Sequence, residues 1–238
     1  MKLSIIIPVY NEEKTILHVI SRLEKQAIPL VEKEIIVVND GSTDATESKI
    51  KNLKFKIKNL KIFRHTKNLG KGAAVKTGIK NATGDYIIIQ DADLEYNPKY
   101  LPILIKPIQE KKAEVVYGTR LKRMPNLRGE EKTLQFLTHY FGNRFLSLIT
   151  SIFFGQWITD METGYKLFPK SALNGIKLNA KGFELEPEIT AKLMKKGYKI
   201  LEIPIRVRPR GYDEGKKINT LKDGTKALWY LVKYRFND

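Results

Sequence analysis

The sequence has no cysteine, a shortage of acidic residues and no long apolar run. The absence of cysteine excludes disulfide bonds and thiolate metal sites, and it is compatible with a reducing compartment. A membrane-spanning helix needs about 20 mostly apolar residues. The most apolar region, residues 134–158, is interrupted by His139, Asn143, Arg144 and Gln156, so we predict a core or interfacial helix there. The apolar start at residues 3–9 is too short for a signal peptide.

The charge balance favours anionic partners. The 43 lysines and arginines exceed the 26 acidic residues by 17. This excess attracts nucleic acid, anionic lipid headgroups and phosphorylated substrates without choosing among them. A lysine-rich surface serves solubility or thermal adaptation equally well. The 238 residues, 42% of them hydrophobic, exclude intrinsic disorder and fit one domain over residues 1–238.

Apolar runs alternate with helical periodicity through the first half of the chain. Strands are predicted at residues 3–9, 34–38, 60–64, 86–90 and 114–118. Helices are predicted around residues 16–27, 70–80 and 97–110. This alternation predicts an α/β fold with a mostly parallel central sheet and helices on both faces. Loops 10–13, 39–44 and 91–95 should then meet at the carboxyl edge of the sheet, where such folds bind ligands.

The second half is less regular. Helices are predicted within residues 134–158, at residues 189–196 and at residues 220–236, where the helix is amphipathic. A strand is predicted at residues 199–207. Charged loops are expected at residues 122–131 and 208–217. We assign residues 1–120 to nucleotide-sugar and metal binding and residues 121–238 to the acceptor side of the same domain.

Three carboxylates follow the strand predicted at residues 86–90. Asp91, Asp93 and Glu95 are spaced by two, so in an extended segment they would point the same way and converge. Hard oxygen ligands at a strand end suit Mg²⁺ or Mn²⁺. A solvated acidic turn is the alternative for the same residues. The position after a buried strand favours the metal site.

Two further loops carry candidate ligands. Asp40 follows a strand and can accept hydrogen bonds from a nucleotide base or ribose, while Gly41 permits a sharp turn. Gly70 and Gly72 surround Lys71 at a helix start, where backbone amides and an ammonium can approach a phosphate. A helix-capping turn and a plain helix entry are the respective alternatives.

Taken together, these segments resemble the family 2 glycosyltransferases, and most closely the dolichyl-phosphate mannose and glucose synthase group. The resemblance rests on an ordered set of motifs at residues 8–13, 40–44, 68–72, 91–94, 118–120, 160–166, 182–184, 202–205 and 214–217. It covers nearly the whole chain. Any one motif is moderately specific, whereas the ordered set is highly specific.

The resemblance implies a GT-A fold, a nucleoside-diphosphate sugar donor and a divalent metal, Mg²⁺ or Mn²⁺. It assigns the nucleotide sugar to Pro8, Tyr10, Glu12, Asp40 and Lys71. It assigns the metal to Asp91, Asp93 and Glu95, although the family often has glutamine at the position of Glu95. It assigns the phosphates to Arg120, Arg210 and Lys216, and Arg208 adds to this basic set. We expect Asp93, Arg120 and Asp160 to be the catalytic residues.

The acceptor that the resemblance implies is a polyprenyl phosphate, with mannose favoured as the sugar and glucose next. A phosphate acceptor is ionised near neutral pH, so it needs cationic residues rather than a base. A glycan hydroxyl acceptor would need a general base, for which Asp160 or Glu162 could serve. A non-catalytic polyanion binder is a third reading, which the crowded carboxylates at a strand end disfavour because they repel phosphate backbones.

The location follows from the same expectations. Many relatives carry transmembrane helices after this region, and no comparable apolar run occurs in these 238 residues. We therefore expect a cytoplasmic protein that binds the membrane surface peripherally through residues 134–158 and the basic helix at residues 220–236. No nucleic-acid partner is expected, and the oligomeric state stays open.

Overall fold

The protein is described here from a computed structural model that covers residues 1–53, 57–121, 133–208 and 220–237. The strands are β1 (Lys2–Val9), β2 (Glu32–Asn39), β3 (Leu60–Arg64), β4 (Tyr86–Ile89), β5 (Val115–Thr119), β6 (Lys166–Pro169) and β7 (Ile200–Pro204). The α-helices are α1 (Ile16–Lys25), α2 (Thr46–Lys51), α3 (Lys71–Asn81), α4 (Leu101–Gln109), α5 (Leu134–Phe154), α6 (Leu185–Lys195) and α7 (Thr220–Phe236). Short 3₁₀ turns occupy Pro98–Tyr100 and Lys170–Leu173.

All seven strands form one sheet in the order β3-β2-β1-β4-β6-β5-β7. The pairs among β3, β2, β1 and β4 are parallel, and so is the pair of β5 with β7. Because β2, β1 and β4 are parallel neighbours, the loops that follow them meet at one edge. The predicted mostly parallel sheet, with loops 10–13, 39–44 and 91–95 together, is confirmed.

Helices cover both faces of this sheet, as predicted. Successive residues of β1 point to opposite sides: Ile5 and Ile7 join one buried cluster, whereas Ile6 joins the other. The first cluster includes the apolar residues of α1 and α4. The second includes apolar residues of α3, α5, α6 and α7. The strands β1, β2, β4 and β5 are largely buried on both sides, which explains their nearly continuous apolar sequences.

One strand lies outside the sequence-based predictions. β6 is only four residues long and enters the sheet antiparallel to both β4 and β5. Its first residue is the buried Lys166, which masks the apolar pattern of a strand. The strand brings the preceding residues 160–165 across to the end of β4. This placement matters for the site described below.

The long helix α5 has one buried face and one exposed face. Thr133 caps its start by accepting a hydrogen bond from the amide of Phe136, and Gly155 ends it with a φ of +70°. Tyr140, Leu146 and Ser147 are buried, whereas Phe141, Phe145, Leu148 and Ile152 are exposed. These four exposed residues, spaced along one side of α5, are called the α5 stripe below. In the described parts of the chain, no helix combines the length and apolarity needed to cross a membrane.

Candidate active site

The loops after β1 and β2 are tied together by side-chain contacts. Asn11 adopts a positive φ of 51°, and its amide oxygen accepts a hydrogen bond from the Thr43 amide at 2.8 Å. The Glu12 amide donates to the Thr46 hydroxyl at 2.9 Å. The Glu12 carboxylate accepts from the Thr15 hydroxyl at the start of α1, at 2.9 Å. The loop that was predicted to bind the nucleoside is therefore a rigid, cross-linked unit.

Pro8 and Tyr10 lie at the edge of this unit. Pro8 is the penultimate residue of β1, paired with Val38 of β2, and Tyr10 follows the strand half-buried. Together with Glu12 they stand at the carboxyl end of the sheet, beside the loop of Asp40. The structure thus brings these four sequence-predicted residues to one edge.

Asp40 has a structural task that its sequence position does not show. One carboxylate oxygen accepts hydrogen bonds from the His65 ring at 2.6 Å and from the Leu69 amide at 3.0 Å. The other accepts from the Gly70 amide at 2.8 Å. Asp40 therefore fixes the loop that leads into α3. The predicted contact of Asp40 with a base or ribose must share a carboxylate that already holds this loop.

The glycines around Lys71 have a packing role that their sequence position does not show. Gly70 has a φ of +97°, and a Cβ added there would lie 2.3 Å from the Lys181 carbonyl oxygen. A Cβ at Gly72 would lie 2.8 Å from the Ala180 carbonyl oxygen. The backbone of residues 180–182 thus fills the space in front of both glycines. Their absent side chains allow two chain segments to meet, and the approach of a phosphate to this helix start stays a prediction.

Lys71 is the centre of a buried ionic cluster. Its ammonium lies 2.8 Å from a carboxylate oxygen of Asp91 and 2.8 Å from one of Glu186. Burial alone would lower the pKa of Lys71, but the two carboxylates raise it well above its usual range. Lys71 therefore stays charged and links the loop after β4 to the start of α6.

The loop after β4 is a turn rather than an extended segment. Leu94 has a positive φ of 67°, and the Glu95 amide donates to the Asp93 carboxylate at 3.1 Å. The predicted alternation of side chains, on which the convergence of Asp91, Asp93 and Glu95 depended, is therefore wrong. Within the described residues, no group of three or more His, Cys, Asp or Glu side chains is arranged to hold a metal ion.

The donor chemistry at this position still suits a hard cation. Asp91 and Asp93 are half-buried carboxylates directly after β4, and Asp91 already faces a positive charge from Lys71. Carboxylate oxygens are the ligands that Mg²⁺ and Mn²⁺ prefer. Asp91 and Asp93 thus fit the implied metal as a two-carboxylate set, and Glu95 as a third ligand stays a prediction.

Arg120 and Asp160 form a bidentate ion pair. The guanidinium donates to both carboxylate oxygens, at 2.8 and 2.7 Å, and the Arg120 amide adds a third bond at 2.9 Å. Burial alone would raise the pKa of Asp160, but the Arg120 guanidinium outweighs it and lowers that pKa. An anchored, fully ionised carboxylate of this kind is a weak proton acceptor.

The sequence did not predict a cluster of three charged groups near this pair, of which Lys166 and Glu186 are buried and Glu162 is half-buried. Glu162, Lys166 and Glu186 interact with one another, and burial is the largest influence on the first two. Burial and the charge of Glu186 raise the pKa of Glu162, while burial lowers the pKa of Lys166. Their contacts span from β6 to α6. No local spacing reveals them, although the three glutamates at residues 184, 186 and 188 are unusual for a helix that is otherwise buried.

Of the four predicted phosphate-binding residues, the structure describes Arg120 and Arg208. The Arg208 amide donates to the Glu95 carbonyl oxygen at 3.2 Å, so the segment after β7 reaches the loop after β4. Arg210 and Lys216, and most of the basic loop 208–217, lie outside the described residues. The charged loop predicted at residues 122–131 also lies outside them. The phosphate-binding role of Arg208, Arg210 and Lys216 stays a prediction.

Comparisons with known proteins agree with this arrangement. The profile of glycosyl transferase family 2 matches residues 4–176. A dolichol-phosphate mannosyltransferase of Pyrococcus furiosus is 31% identical over 98% of this chain, which spans 64% of that protein's length. An uncharacterized protein of Methanocaldococcus jannaschii is 30% identical over 97% of this chain and 98% of its own length.

A solved structure shares the same architecture. Glucosyl-3-phosphoglycerate synthase from Mycobacterium tuberculosis, in complex with Mn²⁺, uridine diphosphate and phosphoglyceric acid, superimposes with a TM-score of 0.71. It is 20% identical, and the alignment covers 98% of this chain and 78% of that one. This likeness confirms the predicted GT-A fold. The family profile covers most of the chain and relatives match nearly all of it, so the protein belongs to glycosyl transferase family 2.

Proposed function

We propose that the protein transfers a hexose, mannose first and glucose second, from a nucleoside-diphosphate sugar to a polyprenyl phosphate. The dolichol-phosphate mannosyltransferase relative supports this acceptor, and family 2 membership supports the donor. A divalent cation on Asp91 and Asp93 would neutralise the charge that develops on the departing diphosphate. Lys71 holds Asp91 in position through a contact of 2.8 Å.

The observation that favours a phosphate acceptor is the ionised, fully paired carboxylate of Asp160. A hydroxyl acceptor must lose a proton during transfer, whereas a phosphate attacks as an ion. Both oxygens of Asp160 are held by Arg120, and the pKa of Asp160 is lowered. Asp160 is therefore unsuited to act as a base. Arg120 uses Nε and Nη2 for this pair, so a hydrogen bond to an anionic acceptor would come from its Nη1.

A hydroxyl acceptor is the second candidate because of Glu162. Its raised pKa suits a general base, since it lies nearer to neutral pH than that of an ordinary carboxylate. One oxygen of Glu162 is buried and has no hydrogen-bond partner. On this second reading Glu162, not Asp160, removes the proton from a sugar or glycerate hydroxyl.

The proposed acceptor requires contact with a membrane, and we propose that the protein works at the cytoplasmic membrane face as a peripheral protein. The α5 stripe, Trp157 and Trp229 expose apolar or aromatic surface. Lys233 lies over the ring of Trp229, at 5.4 Å from its centroid. Aromatic rings beside cations suit the headgroup layer of an anionic bilayer.

A donor and acceptor panel tests the reaction. The protein is incubated with Mn²⁺ and either GDP-mannose or UDP-glucose, with polyprenyl phosphate, unphosphorylated polyprenol or phosphoglycerate, and released nucleotide is measured. We expect release that depends on polyprenyl phosphate and is lost in Asp93→Asn, which removes a charge but keeps the shape. Release that depends on phosphoglycerate would support the hydroxyl acceptor instead. Absence of release with every pair would contradict both candidates.

A further inference from the structure

Two glutamates beside the site, the half-buried Glu162 and the buried Glu186, each have one buried oxygen without a hydrogen-bond partner. Among the residues that the structure describes, these atoms are Oε1 of Glu162 and Oε2 of Glu186. Glu186 is 4% exposed. Leaving a buried polar atom unpaired costs about 1–3 kcal/mol, and more when the group is charged. A pair of such atoms in one place indicates a ligand that donates hydrogen bonds.

Each glutamate is linked to Asp91 through a neighbouring residue. Lys71 joins Glu186 to Asp91 through contacts of 2.8 Å on each side. On the other side, Gly164 packs so closely that a Cβ there would lie 2.6 Å from the second oxygen of Asp91. Glu162 is two residues before Gly164, on the segment that β6 holds in place. One unpartnered oxygen thus belongs to the partner of Lys71, and the other to the segment that packs on Asp91, the first carboxylate of the predicted metal site.

The charge around these oxygens favours a neutral ligand. Lys71 pairs with Glu186, and the buried Lys166 is electrostatically coupled to both glutamates. Lys71 and Lys166 therefore already supply the positive charges that balance these carboxylates, so the ligand need not be a cation. A phosphate would be repelled by two carboxylates, whereas a hydroxyl donates a proton to a carboxylate oxygen in a short, strong hydrogen bond. A hexose presents several such hydroxyls on one rigid ring.

We propose that Glu162 and Glu186 bind the hydroxyl groups of the donor's hexose and determine which sugar is accepted. This inference rests on the proposed function, because it takes the bound donor to be a nucleoside-diphosphate sugar. In this proposal, the loops after β1, β2 and β4 bind the nucleoside and the diphosphate. Since a phosphate acceptor needs no base, Glu162 has no proton-transfer task in the proposed reaction.

Donor binding in the absence of acceptor tests this assignment. Dissociation constants are measured by calorimetry with Mn²⁺ for GDP, GDP-mannose, UDP and UDP-glucose. The variants are Glu162→Gln and Glu186→Gln, and Glu188→Gln is the matched control. Glu188 lies on the same helix and is buried, but its oxygens are taken by the amides of Asn179 and Ala180. Thermal unfolding of each variant verifies that it is folded.

We expect Glu162→Gln and Glu186→Gln to weaken the binding of the preferred nucleotide sugar at least tenfold, and to change its free nucleotide by less than threefold. Hydrogen bonds to charged groups are of the strength that produces such a loss. Glu188→Gln should leave the ratio of the dissociation constants of the nucleotide sugar and the free nucleotide unchanged. In Glu186→Gln, the amide oxygen can still accept a hydrogen bond from Lys71. The quantity that decides is again the ratio of the dissociation constants of the nucleotide sugar and the free nucleotide.

Three results would overturn the proposal in different ways. Equal changes for nucleotide and nucleotide sugar, or no change, would show that the unpartnered oxygens do not face the hexose. Unchanged donor binding with lost turnover in Glu162→Gln would identify Glu162 as a base and favour the hydroxyl acceptor. If the wild-type protein bound neither nucleotide, the proposed function itself would fail, together with this inference.

Discussion

At the residue scale, the buried pair of Arg120 and Asp160 affects both the stability of the fold and the chemistry of the site. Asp160 is fully buried, and the side chain of Arg120 is 17% exposed. Such a pair contributes little net stability, because desolvation offsets the attraction. Removal of one partner, however, leaves an uncompensated buried charge. The pair therefore behaves as one unit, which must be kept or replaced together.

We expect Asp160→Asn to lower the free energy of unfolding by about 3–5 kcal/mol, because Arg120 loses its counter-charge. The double variant Arg120→Gln with Asp160→Asn should lose less than Asp160→Asn alone. Urea unfolding followed by circular dichroism measures both. A double variant that is less stable than the single one would show that the ion pair itself holds the fold.

Glu34 provides a test of pH dependence. Burial alone would raise its pKa, but the Lys61 ammonium and hydrogen bonds from Ser4 and Thr83 lower it to about 2. Because the folded pKa lies below the ordinary value of 4.5, the stabilisation is complete above about pH 5. It is lost as the pH falls from 4.5 towards 2.

The variant Glu34→Gln should therefore be about 3 kcal/mol less stable than the wild type at pH 7. The difference should shrink as the pH falls below 4.5. Glu32→Gln, on the same strand but 62% exposed, is the control and should change stability little. Denaturant unfolding at several pH values measures the difference. A constant gap between pH 7 and pH 2.5 would contradict the assignment.

Single residues show where prediction from the sequence ends. Local spacing correctly placed Asp40, Asp91 and Asp93 at one edge of the sheet, since that placement needs only the ends of the strands. It could not show that Asp40 holds the loop before α3, or that Lys71 pairs with Glu186 from 115 residues away. Those contacts depend on tertiary packing.

At the element scale, the start of α3 is shaped by the segment that packs on it. The Ala73 amide donates to the Lys181 carbonyl oxygen at 3.1 Å, and Gly72 leaves room for that approach. Gly142, in contrast, lies in α5 with nothing within 4 Å of an added Cβ. The two helical glycines thus form a matched pair.

We expect Gly72→Ala to destabilise the protein by about 1–3 kcal/mol, because the new methyl group meets backbone atoms that cannot move freely. Gly142→Ala should stabilise it by about 0.5–1 kcal/mol, as alanine is the better helix former. Thermal or urea unfolding separates the two. A stabilised Gly72→Ala would mean that residues 180–182 do not pack on α3.

The elements themselves were predicted with uneven success. The bounds Leu60–Arg64 and Thr220–Phe236 match the expectation, because each is an unbroken apolar or amphipathic pattern. Helix α6 begins four residues earlier than expected, since its first turn contains two buried glutamates. Strand β6 was missed altogether. A four-residue strand that starts with a buried lysine is recognised only by its partners β4 and β5.

At the scale of the whole molecule, apolar exposure and positive charge occur on the same side of the sheet. The α5 stripe and the exposed Trp229 belong to helices that pack together over the second buried cluster. Lysine and arginine side chains accompany the aromatic rings of α7. This combination is typical of a surface that binds anionic bilayers.

We expect the protein to bind anionic lipid vesicles at low salt and to release them at high salt, since each basic residue contributes about 1 kcal/mol at such a surface. The variant Phe141→Ser with Phe145→Ser should bind more weakly. Leu30→Ser is the control, because Leu30 is 91% exposed but lies in the turn between α1 and β2, where Ile28 and Val31 pack in the first cluster. Vesicle co-sedimentation measures the binding of the wild type, the double variant and the control. A wild-type protein that stays in the supernatant at low salt would contradict the proposed membrane-binding surface.

The product of the reaction tests the central claim most directly. The wild-type protein is incubated with Mn²⁺, GDP-mannose or UDP-glucose, and polyprenyl phosphate in vesicles, and the lipid extract is analysed by mass spectrometry. We predict a lipid whose mass has increased by one hexose residue, formed from polyprenyl phosphate and not from polyprenol. A hexose found only on a water-soluble acceptor, or an unmodified polyprenyl phosphate beside released nucleotide, would contradict the account.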